Sequence, residues 1–238
     1  MDRPITTLFL IESVDGKIST GDTDELDVDS DFKDIVGVHE GLFQYYDLEK
    51  KTDLVSVNSG SVQAKIGVNQ KDLDSVKKTD VSFVMIDSKP HLTSTGTEYF
   101  AKKSRILYLI TTNKNHPGFE LSKTYPNIHM LLYKDEIDFV DVFTKLKMIY
   151  GIERMTIQTG GTLNAEFVRL GLIDYLSLVV APCLIGGSHT QSLIGGESLH
   201  SPADLIHVKA LELLDAQQLH HSYVHLRYKV IHPTTLIK

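Results

Sequence analysis

Short apolar runs recur along the chain. Up to residue 180 they alternate with segments whose apolar residues return at helical spacing. Ile5 to Glu12 is β-branched and rich in Leu and Phe, as a buried strand requires. Leu54 to Val57, Ser82 to Ile86, Ile106 to Ile110, Ile128 to Leu132, Met155 to Gln158 and Tyr175 to Val180 read as further strands. Phe32, Ile35, Val36, His39, Leu42, Phe43 and Tyr46 mark one face of a helix, weakened by Gly37 and Gly41. Asp138 to Tyr150 is a second helix closed by Gly151, and a third follows Thr159-Gly160-Gly161-Thr162 and runs to Leu170 with Gly171 as its stop. Polar or proline-containing connections link the strands between Ser82 and Leu132.

After Val180 the pattern changes to strands alone, Ile206 to Leu214 and Ser222 to Val230, joined by a turn near Ala216. Val224, Leu226, Tyr228 and Val230 alternate with Tyr223, His225, Arg227 and Lys229, the signature of an antiparallel edge with one wet face. The expectation is an α/β fold in one domain, residues 1–238. It has a mostly parallel central sheet flanked by helices and an antiparallel C-terminal hairpin.

Composition narrows the function. The 238 residues include 24 Lys and Arg against 31 Asp and Glu, so no surplus of cations exists to neutralise a nucleic acid. The single cysteine, Cys183, excludes an internal disulfide and a Cys-rich zinc site, and its apolar setting reads as a small buried hydrophobe. No apolar run approaches the ~18 residues of a membrane span. Leu8 to Ile11 is too short for a signal-peptide core. The expectation is a cytoplasmic protein with a small-molecule substrate and no membrane or nucleic-acid partner.

Candidate chemistry lies where strands end. Thr159-Gly160-Gly161-Thr162 stands between a strand and a helix. A helix start offers unpaired N–H groups and partial positive charge, and glycines let a phosphate come close. The same residues also make a tight turn with Thr162 as N-cap. Asn58-Ser59-Gly60-Ser61 is a similar turn after another strand. In open α/β sheets such turns border a ligand crevice. Ser13-Val14-Asp15-Gly16-Lys17-Ile18 follows the first strand and carries a carboxylate and an ammonium. Asp15 could meet a heterocycle and Lys17 a phosphate or hydroxyl, or the segment is an Asp-Gly turn and nothing more.

Other features carry less. Asp22 to Asp31 holds six acids and reads as an exposed loop; Phe32 and Val38 stand where a calcium loop needs Gly and Glu. His221 and His225 on a strand lie about 13 Å apart, too far for one ion. No metal is expected.

In order and context, five motifs resemble the reductase domain at the C-terminus of the bacterial bifunctional riboflavin-biosynthesis deaminase-reductase. They are the Ser13–Ile18 turn, Asp53–Val62, Val84-Met85-Ile86-Asp87-Ser88, Gly160-Gly161-Thr162-Leu163-Asn164 and Ala181–Gly187. The resemblance implies a dihydrofolate-reductase-like fold, NADPH as cofactor, and a homodimer. It implies reduction of 5-amino-6-(5-phosphoribosylamino)uracil, ribosyl becoming ribityl. It places the cofactor against Ser59, Gly60, Ser61, Gly160, Gly161, Thr162 and Leu163, and Asn58, in the first of these turns, is a further cofactor candidate. It places the substrate against Ser13, Asp15 and Lys17, with Asp15 as the catalytic residue. Ser88, Lys89 and Lys114 are candidates for the 2′-phosphate. The chain departs from the family pattern in three places. The loop after Ser61 lacks Asp-Asn-Pro and a later Arg, Gln158 and Thr159 stand where a Glu precedes the glycines, and Asn58 replaces a glycine. Two alternatives stay open: a related reductase of another heterocycle such as a pterin, and a nucleotide-binding protein without catalysis.

Overall fold

The computed structural model describes residues 2–237. The strands are β1 (Ile5–Ser13), β2 (Val55–Ser59), β3 (Ser82–Ile86), β4 (Leu107–Thr111), β5 (Ile128–Leu132), β6 (Arg154–Ile157), β7 (Tyr175–Ala181), β8 (Ala210–Gln218) and β9 (Val224–Ile231). The helices are α1 (Val28–Asp31), α2 (His39–Glu49), α3 (Gly60–Lys65), α4 (Ser94–Lys103), α5 (Gly118–Leu121), α6 (Phe139–Met148) and α7 (Gly161–Arg169). Two compact units result. One holds Met1–Pro4 and Asp53–Thr159, the other Ile5–Thr52 and Gly160–Lys238.

The first unit is a parallel sheet in the order β5-β4-β3-β2-β6. All five residues of β4 are buried, as a continuous apolar run in a parallel sheet demands. Met85, Leu107, Leu109 and Ile128 pack with Phe100 and Ala101 of α4. Asp138 caps α6 by accepting the Asp141 N–H, and the helix buries Phe139, Val142, Phe143 and Leu146.

The second unit runs β1-β7-β9-β8, with β1 and β7 parallel and β9 antiparallel to both β7 and β8. Phe9, Ile11, Val179 and Ala181 of its sheet meet Leu42 and Tyr45 of α2 in one apolar cluster. There Phe9 and Tyr45 stack with centroids 5.1 Å apart. Tyr223, fully buried in the same cluster, donates its hydroxyl to the Val38 carbonyl at 2.7 Å. Its ring occupies the space that a side chain at position 41 would need, so Gly41 serves packing at the expense of helix propensity.

Together the strands form the expected α/β fold, mostly parallel with an antiparallel C-terminal pair. The differences are local. Helix α4 lies where the sequence pattern predicts only a connection, because its buried face is Gly96, Thr97, Phe100 and Ala101, too polar to show a period. The Phe32–Tyr46 stretch is not one helix, since α2 begins only at His39. The acidic segment is only partly a loop: Asp27 caps the short α1, and Val28 and Phe32 are buried. Pro202–His207 is a 3-10 turn, and β8 starts at Ala210. The connection to β9 falls at His220–Ser222, not at Ala216, with His221 and Ser222 in the left-handed region. Strand β9 is internal and β8 is the edge; His225 is buried and bonded to the Ser177 hydroxyl at 2.8 Å.

Candidate functional site

In the second unit, β1 ends in a turn that grips the segment after β7. The Ser13 hydroxyl donates to Asp15 Oδ1 at 2.6 Å and accepts from the Lys17 N–H at 3.0 Å. Asp15 in turn accepts the Ile185 N–H at 3.1 Å and the Gly186 N–H at 2.6 Å. The Ser13 hydrogen bond, helped by these two amides, lowers the Asp15 carboxyl to about 2. Lys17 Nζ donates to the carbonyls of Gly187 at 2.9 Å and Thr190 at 3.0 Å. Gly186 and Gly187 both have positive φ, which lets the segment turn sharply enough to present these groups. Sequence reasoning put Ser13, Asp15 and Lys17 together, and they are together. Asp15 and Lys17 are engaged with the strap formed by residues 183–196, while the Ser13 hydroxyl bonds within the turn.

The same strap reaches α7. Leu193 N–H donates to the Gly16 carbonyl at 3.0 Å, and Gly195 N–H to the Gly161 carbonyl at 3.0 Å. The buried Asn164 amide donates to the Leu193 carbonyl at 2.8 Å. A Cβ on Gly161 would collide with the Ser192 carbonyl. The glycine is therefore required by the chain's own backbone. The N-cap of α7 is Gly160, not Thr162, and no side chain caps the helix. Thr162 is exposed. A nine-residue helix whose first turn lacks a side-chain acceptor and opens at Thr162 fits an anionic group such as a dinucleotide phosphate.

In the first unit, the Asn58–Ser61 turn starts α3. Ser59 caps the helix by accepting the Val62 N–H at 3.4 Å, and its hydroxyl lies 3.3 Å from that of Ser61. Asn58 is buried, donating to the Ser56 hydroxyl at 2.7 Å and accepting from Gln63 at 3.0 Å. A Cβ on Gly60 would strike the Asp87 carboxylate. Of these four residues only Ser61 is exposed. Ser88, Lys89 and Lys114 are exposed as well.

Asp87 is the hub that sequence reasoning missed. Its carboxylate accepts the Leu92 N–H at 3.0 Å and the His91 ring at 2.9 Å, and it meets His116 Nε2 at 3.1 Å. His116 Nδ1 accepts the Gly118 N–H, so the ring proton sits on Nε2 and is donated to Asp87. Burial alone would raise this carboxyl; the hydrogen bonds from His116, Leu92 and His91 outweigh it and hold it below the usual range. The Val-Met-Ile-Asp-Ser motif was visible, but its partner His116 lies 29 residues away in sequence. Ser192 carried no sequence signal.

The model of the RibD C-terminal domain matches residues 4–224. The chain is 24% identical over 212 residues to a protein of Methanothermobacter thermautotrophicus, "2,5-diamino-6-ribosylamino-4(3H)-pyrimidinone 5′-phosphate reductase", covering 87% of this chain and 91% of that one. Acinetobacter baumannii RibD shares its fold with a TM-score of 0.66 at 18% identity, over 97% of this chain and 59% of that one. This chain therefore spans little more than half of that RibD. A pyrimidine reductase-like protein of Corynebacterium diphtheriae has a TM-score of 0.63 at 14% identity, over 97% of this chain and 93% of that one.

Proposed function

Since the chain belongs to the RibD C-terminal domain family, whose model runs through both units from residue 4 to 224, we propose that residues 1–238 form one reductase domain. It uses NADPH to reduce a ribosylaminopyrimidine phosphate in riboflavin biosynthesis, 5-amino-6-(5-phosphoribosylamino)uracil or its 2,5-diamino-pyrimidinone counterpart. The observation that carries this reading is the alignment over 91% of the length of a relative bearing that reductase's name. The open first turn of α7 supports the cofactor part: Gly160, Gly161, Thr162 and Leu163 offer main-chain donors to a phosphate. In the first unit Ser61 is the exposed member of its turn, and Ser88, Lys89 and Lys114 are exposed donors suited to a 2′-phosphate. Asp15 and Lys17 then serve the substrate chiefly by fixing the strap.

A bound reduced nicotinamide supplies a hydride, so the protein needs no nucleophile and contributes orientation and exclusion of water. No described helix is long and apolar enough to cross a membrane. The edge strand β8 exposes Leu211, Leu213 and Leu214, which supports a homodimer.

The test is NADPH oxidation with each ribosylaminopyrimidine phosphate and with dihydropterins, beside NADPH binding by fluorescence. Consumption with a ribosylaminopyrimidine alone supports the reading; consumption with pterins alone replaces the substrate. A second reading, nucleotide binding without turnover, is favoured by the engagement of both Asp15 and Lys17 with the strap. Binding without consumption of any of these compounds selects it.

A further inference from the structure

Glu12 is the next-to-last residue of β1. Strand alternation sends Ile11 and Ser13 towards the apolar cluster of the second unit and Glu12 to the opposite face. Its register partner in β7 is Val180, followed in β9 by Val224, so neither strand offers it a charge. The side chain is half-buried, and among the described residues no hydrogen bond or ion pair engages its carboxyl. Oε2 lies 3.9 Å from the point where a Cβ on Gly16 would stand. The Gly16 carbonyl is bonded to Leu193, and the strap continues to Gly161. Glu12 thus borders the ring of main chain that joins the β1 turn to the open end of α7.

The charged groups of that corner are already committed. Asp15 is held ionised by Ser13 and the strap amides, and Lys17 spends its protons on strap carbonyls. The Glu12 carboxyl, beside them, has no such partner among the described residues. Burial, with no charged group contributing, raises it from 4.5 to about 7. A carboxyl so placed is partly protonated at neutral pH, the condition for a general acid.

We infer that Glu12 is the proton donor of the reduction, an assignment that rests on the reading under Proposed function. Hydride from the reduced nicotinamide forms a C–H bond at C1′ of the ribosylamine, and the C1′–O4′ bond breaks. The electron pair stays on O4′, which takes the Glu12 proton and becomes a hydroxyl. The sugar is reduced to ribityl, the nicotinamide is oxidised, and the Glu12 carboxylate regains its proton from water.

The experiment compares the wild type with Glu12→Gln and Glu12→Asp in three readouts. These are NADPH binding by fluorescence, turnover from pH 5 to 9, and titration of the Glu12 carboxyl by carbon-13 NMR in the ligand-free protein. The expected carboxyl midpoint is near 7. The expected Glu12→Gln enzyme binds NADPH within twofold of wild type and loses turnover by roughly 10²- to 10⁴-fold, together with the alkaline limb of the pH profile. Glu12→Asp recovers part of both. Melting separates these effects from misfolding. Because its carboxyl is raised, Glu12 favours the folded state below about pH 4.5 and loses that contribution as pH rises through 7, so Glu12→Gln gains stability relative to wild type at pH 8. A wild type that turns over beside an equally active Glu12→Gln, or a carboxyl that titrates near 4.5, overturns Glu12 alone. A wild type inactive on every ribosylaminopyrimidine overturns the functional reading and this assignment with it.

Discussion

The Asp15 carboxylate accepts the Gly186 N–H at 2.6 Å, so the turn after β1 holds the chain leaving β7 by a charge-assisted bond. With the folded carboxyl lowered to about 2, the contact contributes fully above the unfolded value of 3.8 and is lost as pH falls towards 2. The Gly186 amide resonance should therefore shift with a midpoint near 2. Asp15→Asn should speed amide exchange at Ile185 and Gly186 and lower turnover more than NADPH affinity. An unchanged exchange rate would show that Asp15 does not hold the strap.

Lys17→Met removes the donor to Gly187 and Thr190 while keeping much of the aliphatic stem. A loss of about 1–2 kcal/mol in urea unfolding is expected, with faster exchange across residues 187–192.

Gly161 and Thr162 separate architecture from ligand binding. Gly161→Ala drives a methyl into the Ser192 carbonyl, so it should destabilise the protein by roughly 1–3 kcal/mol with or without NADPH. Thr162→Glu, at an exposed position in the same turn, should leave the melt unchanged or slightly improved, because acids suit a helix start. Set against a bound phosphate it should weaken NADPH binding at least tenfold. Equal NADPH affinity in Thr162→Glu would remove α7 from the cofactor site.

Asp87→Asn breaks a buried charge-assisted pair with His116 and should cost about 3 kcal/mol in chemical denaturation. Its lowered carboxyl gives the same pH sense as Asp15: the contribution is present above 3.8 and declines below it. A cost below about 0.5 kcal/mol would show that the loop after β3 is held by something else.

Leu213, 55% exposed on β8, tests the homodimer. Leu213→Lys should convert a dimer to monomer in light scattering at micromolar concentration. A wild type that is already monomeric ends that proposal.

The sequence made the strands legible because each is a short apolar run bounded by turn residues. Ser82–Ile86 and Ile128–Leu132 match residue for residue. The helix α4 was illegible because Gly96 and Thr97 sit where apolar residues would have marked the buried face. The edge was misassigned for a related reason: β9 alternates, yet β8, with Leu211, Leu213 and Leu214 exposed, is the strand without a second neighbour. At the site, Asp15, Lys17 and the glycines stood out by residue type. What they touch did not, since Ser192 meets Lys17 and Gly161 only through the folded chain, as His116 meets Asp87. Glu12 was hidden at the end of the apolar run Leu8–Ile11, where a single carboxyl leaves the strand pattern intact.

The fit between Gly161 and the Ser192 carbonyl has a wider consequence. Any sequence that retained this loop would retain that glycine, whether or not it still handled a coenzyme. A Gly-Gly-Thr signature in such chains is then a record of backbone crowding, and activity has to be judged from the side chains that crowding leaves free.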